Sequence, residues 1–88
     1  MNYYENEHGN DVRDWYMENK PFDWIKISFF NAVKYNVRAG KKPGEDIIKD
    51  LNKRDDYMED YIKITGMRAH KAYNKLYEVT KEFMQYDN

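Results

Sequence analysis

Ile25-Lys26-Ile27-Ser28-Phe29-Phe30-Asn31-Ala32-Val33-Lys34-Tyr35-Asn36-Val37-Arg38-Ala39-Gly40 is the stretch on which the fold turns. Ile25, Phe29, Ala32, Val33 and Asn36 recur at steps of three and four, with Phe30 and Val37 beside them, so one side of a helix is apolar. The spacing predicts a helix over residues 22–39, with Gly40 as its left-handed stop. Downstream, Lys41-Lys42-Pro43-Gly44 is a tight connector. A third helix is expected over 45–64, with Glu45 and Asp46 in its first turn and a stripe of Ile48, Leu51, Asp55, Met58 and Ile62. Gly66 ends it, and a fourth helix over 67–85 has Tyr73, Leu76, Tyr77, Thr80, Phe83 and Met84 as its inner face. Upstream, a short helix over 10–18 is capped by Asn10 or Asp11 and carries Val12, Trp15 and Tyr16, until Asn19-Lys20-Pro21-Phe22 breaks it. Short connections between long amphipathic helices favour antiparallel neighbours. The expected fold is therefore all-α: a small bundle of three long helices plus a short N-terminal helix, one domain over residues 1–88.

Composition narrows the function classes. A chain of 88 residues buries a modest core, and a mean hydropathy of −1.13 leaves few apolar positions to spare. Nine Tyr, four Phe and two Trp are many for that size, and such rings suit surfaces packed on one side and wet on the other. Without Cys there is no disulfide, thiolate nucleophile or zinc–thiolate site. His8 and His70 give no metal spacing. The polar start Met1-Asn2-Tyr3-Tyr4-Glu5 is unlike a signal peptide, and no apolar run approaches a membrane span, so a cytoplasmic protein is expected. Net charge is only −1, but it is uneven: residues 1–24 hold six acids and two bases, whereas 34–42 hold four bases and no acid. Nucleic acid is an unlikely partner for such a chain, which has a single local cationic spot.

That spot lies where the second helix meets the third. Asn31, Lys34, Tyr35 and Arg38 fall on overlapping faces, Lys41 and Lys42 stand at the corner, and Asp46, Asp50 and Lys53 open the next helix. Arg38 can grip an anion through two donors, and the lysines add point charges. Tyr35 can stack on a base, Asp46 and Asp50 could hold Mg²⁺ through water, and Asp50 could act as a base. Equally, Arg38 and Lys34 can pair with Asp50 or Asp46 across the helical hairpin, a structural network with no ligand. There is no phosphate-binding loop of the GxxxxGK[ST] type, nor a GxGxxG, HExxH or GxSxG pattern. Ser28, the only Ser, and His70 read as ordinary helix residues.

The same residues carry a resemblance. Asn31, Lys34, Tyr35, Arg38, Gly40, Lys41 and Lys42, followed by Asp50, Leu51, Lys53 and Tyr57, match a pattern typical of a family of small tailed-phage early proteins. That family includes the SaV-like proteins of lactococcal phages, and a similar domain forms the C-terminal part of a coliphage early nucleotide kinase. Phe30 and Arg54 depart from the pattern, and residues 67–86 form an extension that does not align. The resemblance covers about residues 3–63 and implies a phage-encoded, helical, homo-oligomeric protein with a link to nucleotides. On it, the expected function is nucleotide binding through Asn31, Lys34, Tyr35, Arg38, Lys41, Lys42 and Lys53, with phosphoryl transfer through Asp50 or sequestration of a nucleotide signal as its outcome. The competing expectation is a non-enzymatic protein whose aromatic, acidic N-terminal third binds a host replication or defence protein.

Overall fold

The computed structural model describes residues 3–41, 43–44 and 46–87. It contains four helices in chain order: α1 (Val12–Asn19), α2 (Pro21–Arg38), α3 (Ile47–Thr65) and α4 (Ala69–Met84). Among the described residues no strand forms; Glu5 and Asp11 make one isolated antiparallel bridge. No helix is long and apolar enough to cross a membrane.

Local chemistry sets the helix ends. Asp11 caps α1, its carboxylate accepting from the backbone N–H groups of Arg13 and Asp14. Pro21 opens α2, where its missing N–H costs nothing. Asp46 is the cap of α3 rather than a first-turn residue: its side chain accepts from Ile48 N at 2.9 Å, and Asp50 is the acid of the first turn. Glu45, expected beside it, lies outside the described residues, as does Lys42. Gly40 has φ +80°, and a Cβ there would lie 3.2 Å from Ile47 Cδ1, so the turn into α3 favours glycine on two counts.

α2 and α3 form an antiparallel hairpin, with Arg38 at the end of α2 meeting Asp50 at the start of α3, and Trp24 meeting Asp60 at the other end. α4 lies across the hairpin and runs alongside α2 in the same direction, since Lys75 stands over Phe29 and Asn36 bonds to Thr80. The core is Ala32, Met58, Tyr61, Ala72 and Leu76, with Ile25, Phe29, Val33, Tyr57, Ile62, Met67 and Tyr73 packed against it. Ala32 and Ala72 have almost no side chain, which lets neighbouring backbones approach.

Two expected inner faces are turned from their predicted positions. On α4, Ala72 and Leu76 are buried, whereas Tyr77, Phe83 and Met84 are exposed. On α3, Ile48 is exposed, and buried Asp50, Met58 and Tyr61 mark the inward side. Ser28 is fully buried, its hydroxyl donating to Ile25 O. His70 is exposed.

α4 is also held by polar bonds. Arg54 donates to Asn36 and Asp55, Asn36 donates to Thr80, and Tyr73 donates its hydroxyl to Asp55 at 2.7 Å. Burial, and then the Asp55 carboxylate, push the Tyr73 phenol well above its ordinary value of 10.0. An acid whose folded pKa is raised stabilises the fold while protonated, so that contribution is lost as pH climbs above about 10. Tyr73→Phe is therefore expected to cost about 1 kcal/mol at pH 7 and to flatten the loss of stability above pH 10, read by urea denaturation at several pH values. Tyr57, also raised by burial, leaves a residual slope.

Candidate functional site

One stripe of the hairpin brings cationic and aromatic residues together. On α2 it runs through Trp24, Ser28, Tyr35 and Arg38, and on α3 through Asp50, Lys53, Tyr57 and Asp60, at steps of three, four and seven that keep one face. Tyr35 is its centre. Three cations stand around its ring: Lys34 Nζ at 4.7 Å, the Arg38 guanidinium at 5.0 Å and Lys53 Nζ at 5.3 Å from the centroid. Tyr57 lies nearly parallel to it, 12° between planes and 6.1 Å between centroids.

These cations do not act alike. Arg38 donates from Nε and Nη2 to the same Asp50 oxygen, at 3.1 and 2.6 Å. Asp50 is 1 % exposed and the Arg38 side chain 32 %, so a partly exposed arginine covers a buried carboxylate. Lys34 and Lys53 make no ion pair among the described residues; their recorded contacts are with the Tyr35 ring. The arrangement leaves two uncompensated positive charges beside an aromatic ring, on two helices that the Arg38–Asp50 pair ties together. Such a patch attracts anions, and its charges strengthen each other's pull on a phosphate bearing more than one negative charge.

The remaining expected residues fall elsewhere. Asn31 is half-buried and donates to Ile27 O within its own helix. Lys41 turns toward the end of α4, its Nζ 3.4 Å from Met84 Sδ. Asp46 caps α3 and Asp50 is engaged by Arg38, so neither presents a carboxylate committed to a metal, and among the described residues no group of three or more His, Asp or Glu could hold one.

Sequence reasoning missed the far end of the stripe. Arg13 of α1 donates from Nε to Asp60 at 2.7 Å and from Nη2 to Asp56 O, and its guanidinium stands 4.9 Å from the Tyr57 centroid and 6.0 Å from Trp24. Trp24 Nε1 donates to the same Asp60 oxygen at 3.0 Å. Tyr57 is among the positions that match the family pattern, and Asp60 and Trp24 share its helical register with Lys53 and Tyr35, which is the signal that could have found them. Arg13 comes from another helix and gave none.

A protein-family model described as a protein of unknown function, DUF3310, matches residues 2–59, a span that takes in α1, α2 and most of α3 but not α4. The SaV protein of Lactococcus phage SK1 is 37 % identical over 66 residues, 74 % of this chain and 52 % of that protein. The SaV protein of Lactococcus phage p2 is 36 % identical over 72 residues, 75 % of this chain and 56 % of that protein. The chain thus spans a little over half the length of these relatives. No solved structure matches. A model match over two helices and most of a third, and two phage relatives above one-third identity, place the chain in the DUF3310 family of small phage proteins.

Proposed function

We propose that this phage-family protein binds a nucleotide or nucleotide-derived small molecule, with Lys34 and Lys53 as its phosphate grips. The observation that carries this is the convergence of two unpaired lysines from α2 and α3 on Tyr35. Arg38, the third cation at the Tyr35 ring, adds its charge to the patch. The geometry favours binding, and so sequestration, over phosphoryl transfer. Transfer needs a positioned base or metal ligand, and Asp50 is engaged by Arg38. Any Mg²⁺ would then arrive with the phosphates rather than in a cage of protein carboxylates.

A thermal-shift screen against nucleoside mono-, di- and triphosphates, with and without Mg²⁺, tests the proposal. A ligand at about 100 times its dissociation constant adds about 2.7 kcal/mol. Lys53→Glu and Lys34→Glu each replace an attraction with a repulsion, and each is expected to weaken binding at least tenfold while leaving the melting temperature of the free protein nearly unchanged. A flat panel with the folded wild-type protein would end this proposal.

A second function, binding a host protein, is favoured by the N-terminal surface, where Tyr3, Tyr4 and Trp15 are exposed beside the acidic Glu5, Asp14 and Glu18. Substitutions at Tyr3 and Trp15 that abolish capture of a host protein, with the lysine variants tolerated, would select it. A homo-oligomer would supply further walls to the open patch, and exposed apolar side chains such as Phe22 and Phe30 offer contacts for one.

A further inference from the structure

The lysine patch ends at Tyr57, and on the other side of that ring the structure opens into a cleft of about 580 Å³ between α1 and the hairpin. Four aromatic side chains line it, Tyr4, Tyr16, Trp24 and Tyr57, together with Arg13, Val12 and the α1 cap Asp11. Tyr16 and Trp24 have centroids 5.8 Å apart, and Trp24 and Tyr57 6.3 Å. The size lies in the range of small-ligand pockets, and the lining is mainly apolar with few oriented polar groups, as in such pockets. The Arg13 guanidinium is fixed by Asp60 and by the Asp56 carbonyl, yet its Nη1 donates to nothing among the described residues. A planar donor held in place beside rings tilted by 42° to 47° to one another, with one nitrogen unused, suits a flat heteroaromatic ring with an acceptor on its edge.

We infer that this cleft is a base-binding subsite, a conclusion that rests on the phosphate site proposed above. Lys53 and Tyr57 are four residues apart on α3, about 6 Å along the axis, so a base beside Tyr57 stands one helical turn from the phosphate grip. A sugar bridges a gap of that order. The ligand class is then a nucleoside phosphate read at both ends: the ring by Tyr57, Trp24 and Arg13 Nη1, the phosphates by Lys53 and Lys34. Tyr4 reaches the cleft from the segment before α1.

The test uses the full chain with Trp15→Phe, which leaves Trp24 as the sole tryptophan and its emission as a reporter of the cleft. ATP, GTP, CTP, UTP, inorganic tripolyphosphate and adenosine are titrated separately. At least one nucleoside triphosphate is expected to bind about tenfold or more tightly than tripolyphosphate and to quench Trp24, which tripolyphosphate leaves unchanged. Tyr4→Ala, at an exposed position that cannot unfold the core, is expected to remove most of that advantage. If nucleotides and tripolyphosphate bind equally, through the lysines and without a change in Trp24 emission, the base subsite is overturned and the phosphate site stands. If adenosine quenches Trp24 and Lys53→Glu leaves nucleotide affinity intact, the subsite stands and the phosphate site falls. If no probe binds, both fall.

Discussion

Arg38→Ala is expected to lower the unfolding free energy by about 3 kcal/mol, the scale on which a buried ion pair loses one partner. Asp50 is 1 % exposed, so truncating Arg38 leaves a carboxylate inside the hairpin without the two bonds that now offset its burial. Replacing Asp50 acts differently. In Asp50→Leu the arginine, whose side chain is about one-third exposed, can turn to water, and leucine fills an apolar volume. The loss should therefore be clearly smaller than for Arg38→Ala. In urea denaturation the two variants should separate, and the arginine variant should melt lower by more than about 10 °C. Equal losses would mean that the pair is not acting through its buried carboxylate. A consequence for binding follows: Arg38 is a poor site at which to test ligand affinity, because the variant loses both the grip and the hairpin end. Lys34 and Lys53 are the informative positions.

Leu76→Ala should be as damaging. Leu76 is the largest fully buried side chain of α4, and truncation of such leucines costs about 2.7–5 kcal/mol, the spread reflecting how far the cavity collapses. Here collapse is resisted from both sides. Ala32 and Ala72 already bring their helices close, and the polar bonds from Asn36, Asp55 and Arg54 fix the position of α4. Because Leu76 and Ala72 share one core with Met58 and Tyr61, the variant is expected to unfold in a single transition at lower denaturant, with helical signal and Trp24 emission changing together. If α4 melts first while the hairpin persists, α4 is an independent attachment.

The four helices were legible in the sequence to within three residues at each end, because proline, glycine and the 3.6-residue period act locally. Rotation about each helix axis was less legible. Tyr77, Phe83 and Met84 extend an apolar pattern on α4, yet the face turned to the hairpin carries Ala72, Leu76 and half-buried Thr80, so those three side chains stay exposed. Asp50 was readable as a charged residue near Arg38 but not as a buried one, because its burial depends on the close approach of α2 and α3 at Gly40. At the site, spacing on single helices brought out Lys34, Tyr35, Arg38 and Lys53. It could not show which of them were already paired, nor that Arg13 would arrive from α1, because both are matters of contact between helices.

The aromatic cleft has one wall on the hairpin, Trp24 and Tyr57, and the other outside the core. α1 contributes Val12, Arg13 and Tyr16 to the cleft yet buries no residue of its own. Sequence drift in α1 and in the segment before it can therefore alter what the cleft recognises while the scaffold beneath stays intact. Substitutions at positions 3–16 are expected to be tolerated by the fold far better than substitutions at 50–58, as urea denaturation of single variants in each stretch would read.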